Sequence, residues 1–289
     1  MTDKTCDPKK EVAWTVRGGR VLGPAPFLVM GIVNVTPDSF SDGGANLDPS
    51  HALASASRLL AQGAAMVDVG GESTRPGAAP VSEAEELRRV LPVVEAVLRE
   101  HPGAAVSVDT YKASVAAKAL EAGAVIVNDV SACCSFEPEL LDVVAHYKPG
   151  YVLMHSQGRP GNMQSDPRYG SVLAEVARFF EIGMARLVNS GLPEDRIVLD
   201  PGIGFGKTLE HNLAILKGIP LFASFGRPIM MGLSNKSLFG RLLGLDVGNR
   251  GAATQVATAL AHERGARIHR VHDAAGAVAA LTLAEALCG

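Results

Sequence analysis

Short apolar runs recur along the chain, and most of them end directly in a charged or amide side chain. Such runs are typical of buried strands, and they predict strands near 28–33, 65–69, 104–108, 124–127, 151–154, 196–199, 228–232 and 267–271. Segments of helical period lie between them, near 50–62, 82–100, 112–122, 137–146, 171–190, 208–217, 237–243 with 249–265, and 274–287. Because strands and helices alternate, we predict eight parallel strands joined by right-handed crossovers.

Polar segments follow seven of the apolar runs, at 34–44, 71–78, 109–110, 128–129, 200–207, 234–237 and 270–273. A β/α barrel builds its active site from the segments that follow its strands. The chain has 289 residues, and one such barrel takes about 250. We therefore predict a (β/α)₈ TIM barrel. An open doubly wound sheet is the alternative, but the glycines of DPGIGFGK match neither GxGxxG nor a Walker A loop.

Boundary residues support the predicted helices. Ser82 and Glu85 have the spacing of a capping box, and Asp48-Pro49-Ser50 is a second N-cap pattern. Glycines follow four helices, as expected at the C′ position: Gly63, Gly123, Gly191 and Gly265. Ahead of the barrel, residues 13–27 with Gly18-Gly19 predict a short hairpin that closes its bottom. We expect a disordered tail over 1–12 and a single barrel domain over 13–289.

Composition narrows the classes of function. A formal net charge of −3 argues against nucleic-acid binding. No apolar run reaches the roughly 20 residues that span a membrane, and the first residues lack the apolar core of a signal peptide, so we expect a cytoplasmic protein. The four cysteines have no CxxC spacing, so buried thiols are favoured over structural zinc.

Two acids and an amide end three of the predicted strands: Asp109, Asn128 and Asp200. A carboxylate buried in such a place needs hydrogen-bond donors, because desolvation of an unpaired charge is costly. Two carboxylates and an amide that face one cavity would suit a flat heterocycle edged with N–H groups, such as an aminopyrimidinone. Taken singly, each residue fits an N-cap or turn equally well.

Cationic and hydroxyl groups follow the last two predicted strands. Lys236 and Ser237 come after the seventh, and Arg270 and His272 alternate at the end of the eighth, so both point the same way. Barrels often hold a phosphate at these two loops, and these residue types donate well to phosphate. A surface set of salt bridges is the alternative for Lys236.

The first long loop, 34–47, combines glycines with oxygen ligands: Asn34, Asp38, Ser39, Ser41 and Asp42. Mg²⁺ is usually held by one or two protein groups together with substrate oxygens, so this loop predicts a Mg²⁺-assisted phosphate site under a mobile lid. An ordinary solvated loop is the alternative.

Four further residues receive separate predictions. In the second loop, Arg75 would clamp an anionic group, whereas Glu72 would be a structural acceptor in the barrel mouth. After the fifth strand, His155 is expected to be structural and Met154 to form wall.

The motifs together resemble those of the dihydropteroate synthase family of the folate pathway, over residues 14–287. The resemblance rests on MGIVNVTPDSFSDGG, VDVGGESTRPGA, VSVDT, VNDV, LDPGIGFGKTLEHNL, GLSNKS and RVHD. It implies a pterin-binding (β/α)₈ barrel, a homodimer and a sulfonamide target. It also implies a Mg²⁺-dependent transferase that condenses 6-hydroxymethyl-7,8-dihydropterin diphosphate with 4-aminobenzoate, giving 7,8-dihydropteroate and pyrophosphate.

The resemblance also assigns roles to single residues. It places Asp109, Asn128, Asp200 and Lys236 in the pterin pocket, and Asn34, Arg270 and His272 at the diphosphate and Mg²⁺ end, with Asn34 as metal ligand. It places Phe40, Thr74, Arg75, Pro76 and Ser237 on the aminobenzoate side, and Met154, Phe205 and Gly232 in the substrate-binding wall. The implied catalytic residues are Asp42, Asp109, Lys236, Arg270 and His272.

One position departs from the family pattern. Asn235 stands where the family commonly has arginine in Ser-Arg-Lys-Ser, which removes a cation that would stack on the pterin. Two alternative functions stay open on the sequence: a catalytically silent pterin-binding paralogue, and a pterin-dependent methyltransferase of the corrinoid type. The first two loops and RVHD argue against the methyltransferase, which has no use for a diphosphate site.

Overall fold

The computed structural model describes residues 11–36, 49–73, 78–131, 139–158, 163–164 and 166–288. Within them the strands are β1 Val12–Thr15, β2 Val21–Ala25, β3 Leu28–Asn34, β4 Met66–Gly70, β5 Ala105–Asp109, β6 Ile126–Asp129, β7 Gly150–Met154, β8 Ile197–Asp200, β9 Ile229–Met231 and β10 Ala266–Val271. The helices are α1 Pro49–Ala61, α2 Glu83–Glu100, α3 Ala113–Glu121, α4 Glu139–Tyr147, α5 Val172–Asn189, α6 Leu209–Lys217, α7 Ile219–Ala223, α8 Ser237–Leu243, α9 Gly251–Glu263 and α10 Ala274–Cys288.

The strands β3 to β10 form a closed barrel, in which β10 returns to pair with β3. All its pairings are parallel, and each strand lies within two residues of the predicted range. The predicted (β/α)₈ barrel is therefore confirmed, and closure excludes the open doubly wound sheet. The apolar runs identify these strands well because a parallel strand is buried on both faces.

The bottom of the barrel is closed by the predicted hairpin. β1 and β2 pair antiparallel, and β1 begins at Val12, one residue before the predicted hairpin. Trp14 is fully buried, and its indole Nε1 donates to the carbonyl of Arg196 at 2.8 Å. It packs in one apolar cluster with inward residues from the lower halves of the strands, including Met30, Met66 and Ile268. The first ten residues of the predicted tail lie outside the described residues.

Local boundary chemistry follows the sequence closely. The Ser82 hydroxyl accepts from the backbone N–H of Glu85 at 3.3 Å, which is half of the predicted capping box. The Glu85 carboxylate accepts from Arg88 and Arg89 instead. The four predicted C′ glycines all have positive φ: Gly63 94°, Gly123 113°, Gly191 105° and Gly265 107°. Asp48 of the second N-cap pattern lies outside the described residues.

Two further features concern the helical layer. At Gly183 of α5, an added Cβ would come within 2.9 Å of the Leu153 side chain, so this glycine lets the helix approach β7 closely. The five-residue helix α7 was not predicted, because it is too short to show a period.

In the described part of the chain, no helix combines the length and hydropathy that crossing a bilayer requires.

Candidate active site

One cavity of about 540 Å³ opens at the C-terminal end of the barrel strands. Its lining contains every predicted site residue that the structure describes: Asn34, Asp109, Asn128, Met154, Asp200, Phe205, Gly232, Lys236, Ser237, Arg270 and His272. The other predicted residues lie outside the described residues: Phe40, Asp42, Thr74, Arg75 and Pro76, with Asp38, Ser39 and Ser41. The gathering of eleven residues from separate segments supports a single site at this end.

Strand register explains how these side chains meet. Asn34 pairs with Gly70, Gly70 with Asp109, and Asp109 with Asn128, so these residues form one layer across β3 to β6. Because Gly70 has no side chain, the Asp109 side chain lies against it: a Cβ added there would be 3.4 Å from the Cβ of Asp109. Gly70 therefore lets the Asp109 side chain lie close to β4.

A buried acid that the sequence analysis missed lies one layer below. Asp68 on β4 is fully buried, and its Oδ2 accepts from Asn128 Nδ2 at 2.9 Å and from Arg270 Nε at 2.6 Å. Arg270 Nη2 also donates to Asp109 Oδ2 at 2.6 Å. Since Asp68 holds the amide nitrogen of Asn128, the amide oxygen is left as an acceptor. Asp68 thus orients both Asn128 and Arg270.

Asp68 was missed because it lies inside an apolar run, two residues before the strand ends. Its alternation with Gly70 was the available indication, since residues two apart on a strand point to the same face. The carboxylate in VDVG must point either towards the outer helices or into the barrel. Water is excluded from both places, so the carboxylate needs hydrogen-bond partners there.

Asp109 and Arg270 have shifted pKa values, and each acts on the other. Burial raises the pKa of Asp109 to about 7; Arg270 acts to lower it, and Asp68 raises it further. Burial acts to lower the pKa of Arg270, but Asp68 and Asp109 outweigh it, and the net pKa is raised. One guanidinium is therefore shared by two carboxylates, which leaves Asp109 able to take up a proton near neutrality.

Asp200 and Lys236 form the opposite side of the site. Burial raises the pKa of Asp200, while the backbone N–H of Gly202, which donates to its Oδ1 at 2.7 Å, and Lys236 act in the other direction. Lys236 lies 4.3 Å from the centre of the Phe205 ring, and burial lowers its pKa to about 8. The cavity wall here combines a carboxylate, an ammonium group and an aromatic face.

His272 lies at the exposed rim. Its Nδ1 is 2.9 Å from Ser234 Oγ, and its backbone N–H donates to the same hydroxyl at 3.3 Å. Arg270 lies deeper, turned towards Asp68 and Asp109 rather than towards His272. The predicted diphosphate donors therefore lie at two depths of one cavity.

Asn235 has a backbone reason to differ from the family pattern. Its φ is 57°, in the left-handed region where asparagine is enriched. Its N–H donates to Thr254 Oγ1 at 3.2 Å, and its carbonyl accepts from Arg250 Nη1 at 3.0 Å. Arg250 also lines the cavity, so a guanidinium is present on this side although residue 235 does not provide it.

Glu72 is a structural acceptor, as predicted. It accepts from Lys112 Nζ at 2.5 Å, from the Tyr111 hydroxyl at 3.0 Å and from the backbone of Val81 at 3.1 Å. Lys112 also donates to buried Glu86. This network fixes the stem of the second loop at the cavity wall.

His155 is also structural. It is buried, packs edge-on against Phe179 at 4.9 Å, and contacts Lys207 Nζ through Nδ1 at 3.0 Å. The burial of Lys207 was not foreseen, because three separate segments create it and none shows it alone.

Comparison with known proteins decides the family. The pterin-binding enzyme family matches residues 30–272. The Escherichia coli (strain K12) dihydropteroate synthase is 43% identical over 258 residues, covering 89% of this chain and 90% of the relative. The chain belongs to the dihydropteroate synthase family of pterin-binding enzymes.

Solved structures of the family superpose closely. A Yersinia pestis dihydropteroate synthase in a sulfonamide drug complex has a TM-score of 0.89 at 42% identity, covering 95% of this chain and 98% of that one. The Xanthomonas albilineans dihydropteroate synthase with 4-aminobenzoic acid has a TM-score of 0.87 at 42% identity, with 95% and 98% coverage. The same enzyme in complex with 7,8-dihydropteroate has a TM-score of 0.85 at 39% identity, with 96% and 98% coverage.

Proposed function

We propose that this chain condenses 6-hydroxymethyl-7,8-dihydropterin diphosphate with 4-aminobenzoate to give 7,8-dihydropteroate and pyrophosphate. The observation that carries the proposal is one cavity that combines Asp109, Asn128 and Asp200 with Lys236 and Arg270. The relatives support it, since they are named dihydropteroate synthases and one of them is solved with 4-aminobenzoic acid.

The acids and the amide are the pterin-binding groups of this proposal. A pterin edge presents N–H donors next to a carbonyl, and a carboxylate can accept two parallel N–H bonds. Asp109 and Asp200 supply such acceptors, and the amide oxygen of Asn128 supplies another. Lys236 is the donor for the pterin's acceptor atoms.

Arg270, His272 and Asn34 bind the diphosphate end. Arg270 uses Nε and Nη2 for the two acids, and within the described residues its Nη1 makes no hydrogen bond. His272 and Asn34 line the same cavity. When the C–O bond between the pterin methylene and the diphosphate breaks, negative charge develops on the diphosphate oxygen. These donors then stabilise the departing pyrophosphate.

Mg²⁺ belongs to the proposal as a cofactor. Among the described residues, no group of three or more His, Cys, Asp or Glu side chains could hold a metal ion. Mg²⁺ at phosphates needs only one or two protein groups, and the amide oxygen of Asn34 fits that demand, with Asp42 as the second candidate. When bound, Mg²⁺ would neutralise charge on the diphosphate oxygens.

Carbon–nitrogen bond formation then needs little covalent help from the protein. Asp109 and Asp200 offset positive charge that develops on the pterin methylene, while the aromatic amine attacks that carbon. Ser237 lines the cavity, and we assign it, with Phe40, Thr74, Arg75 and Pro76, to the arylamine side. Closure of this side over bound substrates would exclude water that competes with the amine.

We also propose a homodimer built on α9 and α10, and a cytoplasmic location. The two helices pack on each other and present exposed apolar side chains: Val256 61%, Leu260 53%, Leu283 59% and Leu287 75% exposed. Apolar side chains spaced four apart on each helix form a stripe that a second copy could cover. Light scattering tests this: Leu260→Glu with Leu283→Glu should yield monomers, and an unchanged mass would contradict the assignment.

The test of the activity is release of pyrophosphate by purified protein with the pterin diphosphate, 4-aminobenzoate and Mg²⁺. Release should require all three components, and a sulfonamide should compete with 4-aminobenzoate. Binding of the pterin diphosphate without turnover would instead support the silent paralogue. Methyl transfer to a corrinoid protein would support the methyltransferase.

A further inference from the structure

Lys207 is a buried lysine that the proposed chemistry does not use. The residue is 1% exposed, and its Nζ donates to the carbonyls of Phe205 at 2.9 Å and His155 at 3.3 Å. It also lies 3.0 Å from Nδ1 of His155. His155 follows β7 and Phe205 follows β8, so one ammonium group joins the two segments that carry this side of the cavity wall.

The hydrogen-bond partners of Lys207 are all neutral. Two are carbonyl oxygens, and the third is an imidazole whose pKa burial and Lys207 lower to about 3. No ion pair therefore neutralises the ammonium at contact distance in the described part of the chain. Burial lowers the pKa of Lys207 to about 7, while Asp200 acts to raise it, so the amine is charged on the acid side of neutrality. In that state, a charge held only by dipoles acts on nearby titratable groups through a medium of low dielectric constant.

The carboxylate that acts on Lys207 is Asp200, and Gly202 separates the two. The backbone N–H of Gly202 donates to Asp200 Oδ1 at 2.7 Å, and a Cβ added to Gly202 would come 3.3 Å from Lys207 Nζ. That Cβ would also come 1.9 Å from the His155 carbonyl oxygen. Glycine is thus the residue that lets the ammonium group lie directly behind the carboxylate.

We propose that Lys207 is a positioning residue for pterin binding: it fixes the segment that carries Phe205, and its charge behind Asp200 keeps that carboxylate ionised as an acceptor for the pterin. The proposal rests on the function proposed above. Lys207 does not line the cavity and touches no reacting atom, so it acts through Asp200 and Phe205.

Several charges face Asp200 and set the size of the effect. Lys236 follows β9, Arg270 lies on β10, and Lys207 follows β8; each acts to lower the pKa of Asp200 against burial. His155, after β7, stays neutral. Lys236 and Arg270 remain when Lys207 is removed. We therefore expect the acid limb of Asp200 to move by about one pH unit, and Asp200 still to ionise at higher pH.

The test is the pH dependence of kcat/KM for the pterin diphosphate in Lys207→Met and Lys207→Gln. Methionine removes the charge and the donor, whereas glutamine removes the charge and keeps a donor for the carbonyls. In both variants the acid limb that persists in Asp109→Asn, and therefore belongs to Asp200, should move up by about one pH unit, with about tenfold lower kcat/KM below it. Lys217→Met, which removes an exposed lysine of α6, should match the wild type.

Three outcomes would overturn the proposal. An acid limb of Asp200 that stays in place in both variants, with only KM changed, would make Lys207 a brace for the loop alone. Loss of cooperative thermal unfolding in both would make it a core residue. Equal binding of the pterin diphosphate to wild type and Lys207→Met, by calorimetry at pH 6 and pH 8, would also reject it. Calorimetry needs no turnover, so it tests this inference even if the proposed activity fails. Failure of the proposed activity would show as an inactive wild type.

Discussion

The two ends of the barrel use the same inward-facing positions for opposite purposes. On β10, Ile268 faces the apolar cluster at the bottom, and Arg270, two residues later, lines the cavity. β8 repeats the arrangement with Val198 and Asp200. A step of two residues along a strand keeps the face and changes the depth. Folding stability and function are therefore separated along each strand, and substitutions at the two ends should have different consequences.

The largest effect at the upper end is expected for Arg270→Ala. The change removes the guanidinium from the diphosphate and leaves Asp68 and Asp109 without their shared partner. We expect kcat/KM to fall by about 10³-fold, together with a loss of stability from the unpaired buried carboxylates. Steady-state kinetics and thermal unfolding measure the two, with Arg264→Ala as an exposed control. Unchanged affinity for the diphosphate would reject the assigned role.

Asp109→Asn should affect function alone. The amide keeps the shape of the carboxylate but cannot accept two parallel N–H bonds or offset positive charge, so kcat/KM should fall by about 10²-fold. The thermal midpoint should stay close to that of wild type, as in the exposed control Asp195→Asn. An unfolded Asp109→Asn protein would instead show that Asp109 belongs to the core.

At the lower end, Trp14→Ala should have the reverse effect. The indole is fully buried and closes the barrel, so truncation should lower the free energy of unfolding by about 3–5 kcal/mol. The KM values of the folded variant should stay within about twofold of wild type, because the cavity lies at the opposite end of the strands. Denaturant titration and kinetics below the new midpoint check both. A KM that rises tenfold would show that the two ends are coupled.

The pH profile of the wild type sharpens the comparison further. Burial raises the pKa of Asp109 to about 7, and the ionised form is the one that accepts the pterin. As pH falls through about 7, the free enzyme should therefore lose kcat/KM for the pterin diphosphate. The same limb should be missing in Asp109→Asn, and its persistence there would assign it to another group.

Asn235→Arg should give the smallest effect. A guanidinium over the pterin face would tighten binding by about two- to fivefold, as a cation–π contact of about 0.5–1 kcal/mol implies. The left-handed backbone at this position, with φ of 57°, should lower stability by about 1 kcal/mol. Calorimetric binding and thermal unfolding measure the two. Weaker pterin binding in this variant would show that Arg250 already fills the space.

Sequence alone predicted the fold and most of the cavity, because strands of a closed parallel barrel are apolar on both faces and their C-terminal residues point to one place. It missed Asp68, which lies inside an apolar run whose pattern predicts a buried strand. It missed the burial of Lys207 because segments distant in sequence enclose it. The left-handed backbone of Asn235 was likewise not visible as a reason for the departure from Ser-Arg-Lys-Ser.

The most direct measurement is the stoichiometry of one reaction: 7,8-dihydropteroate and pyrophosphate quantified together, for wild type and for Asp109→Asn that retains the wild-type thermal midpoint. We expect equal amounts of both products from the wild type and about a hundredfold slower formation of both in the variant. Pyrophosphate without dihydropteroate, or equal rates in the two proteins, would contradict a synthase whose upper barrel end provides the chemistry.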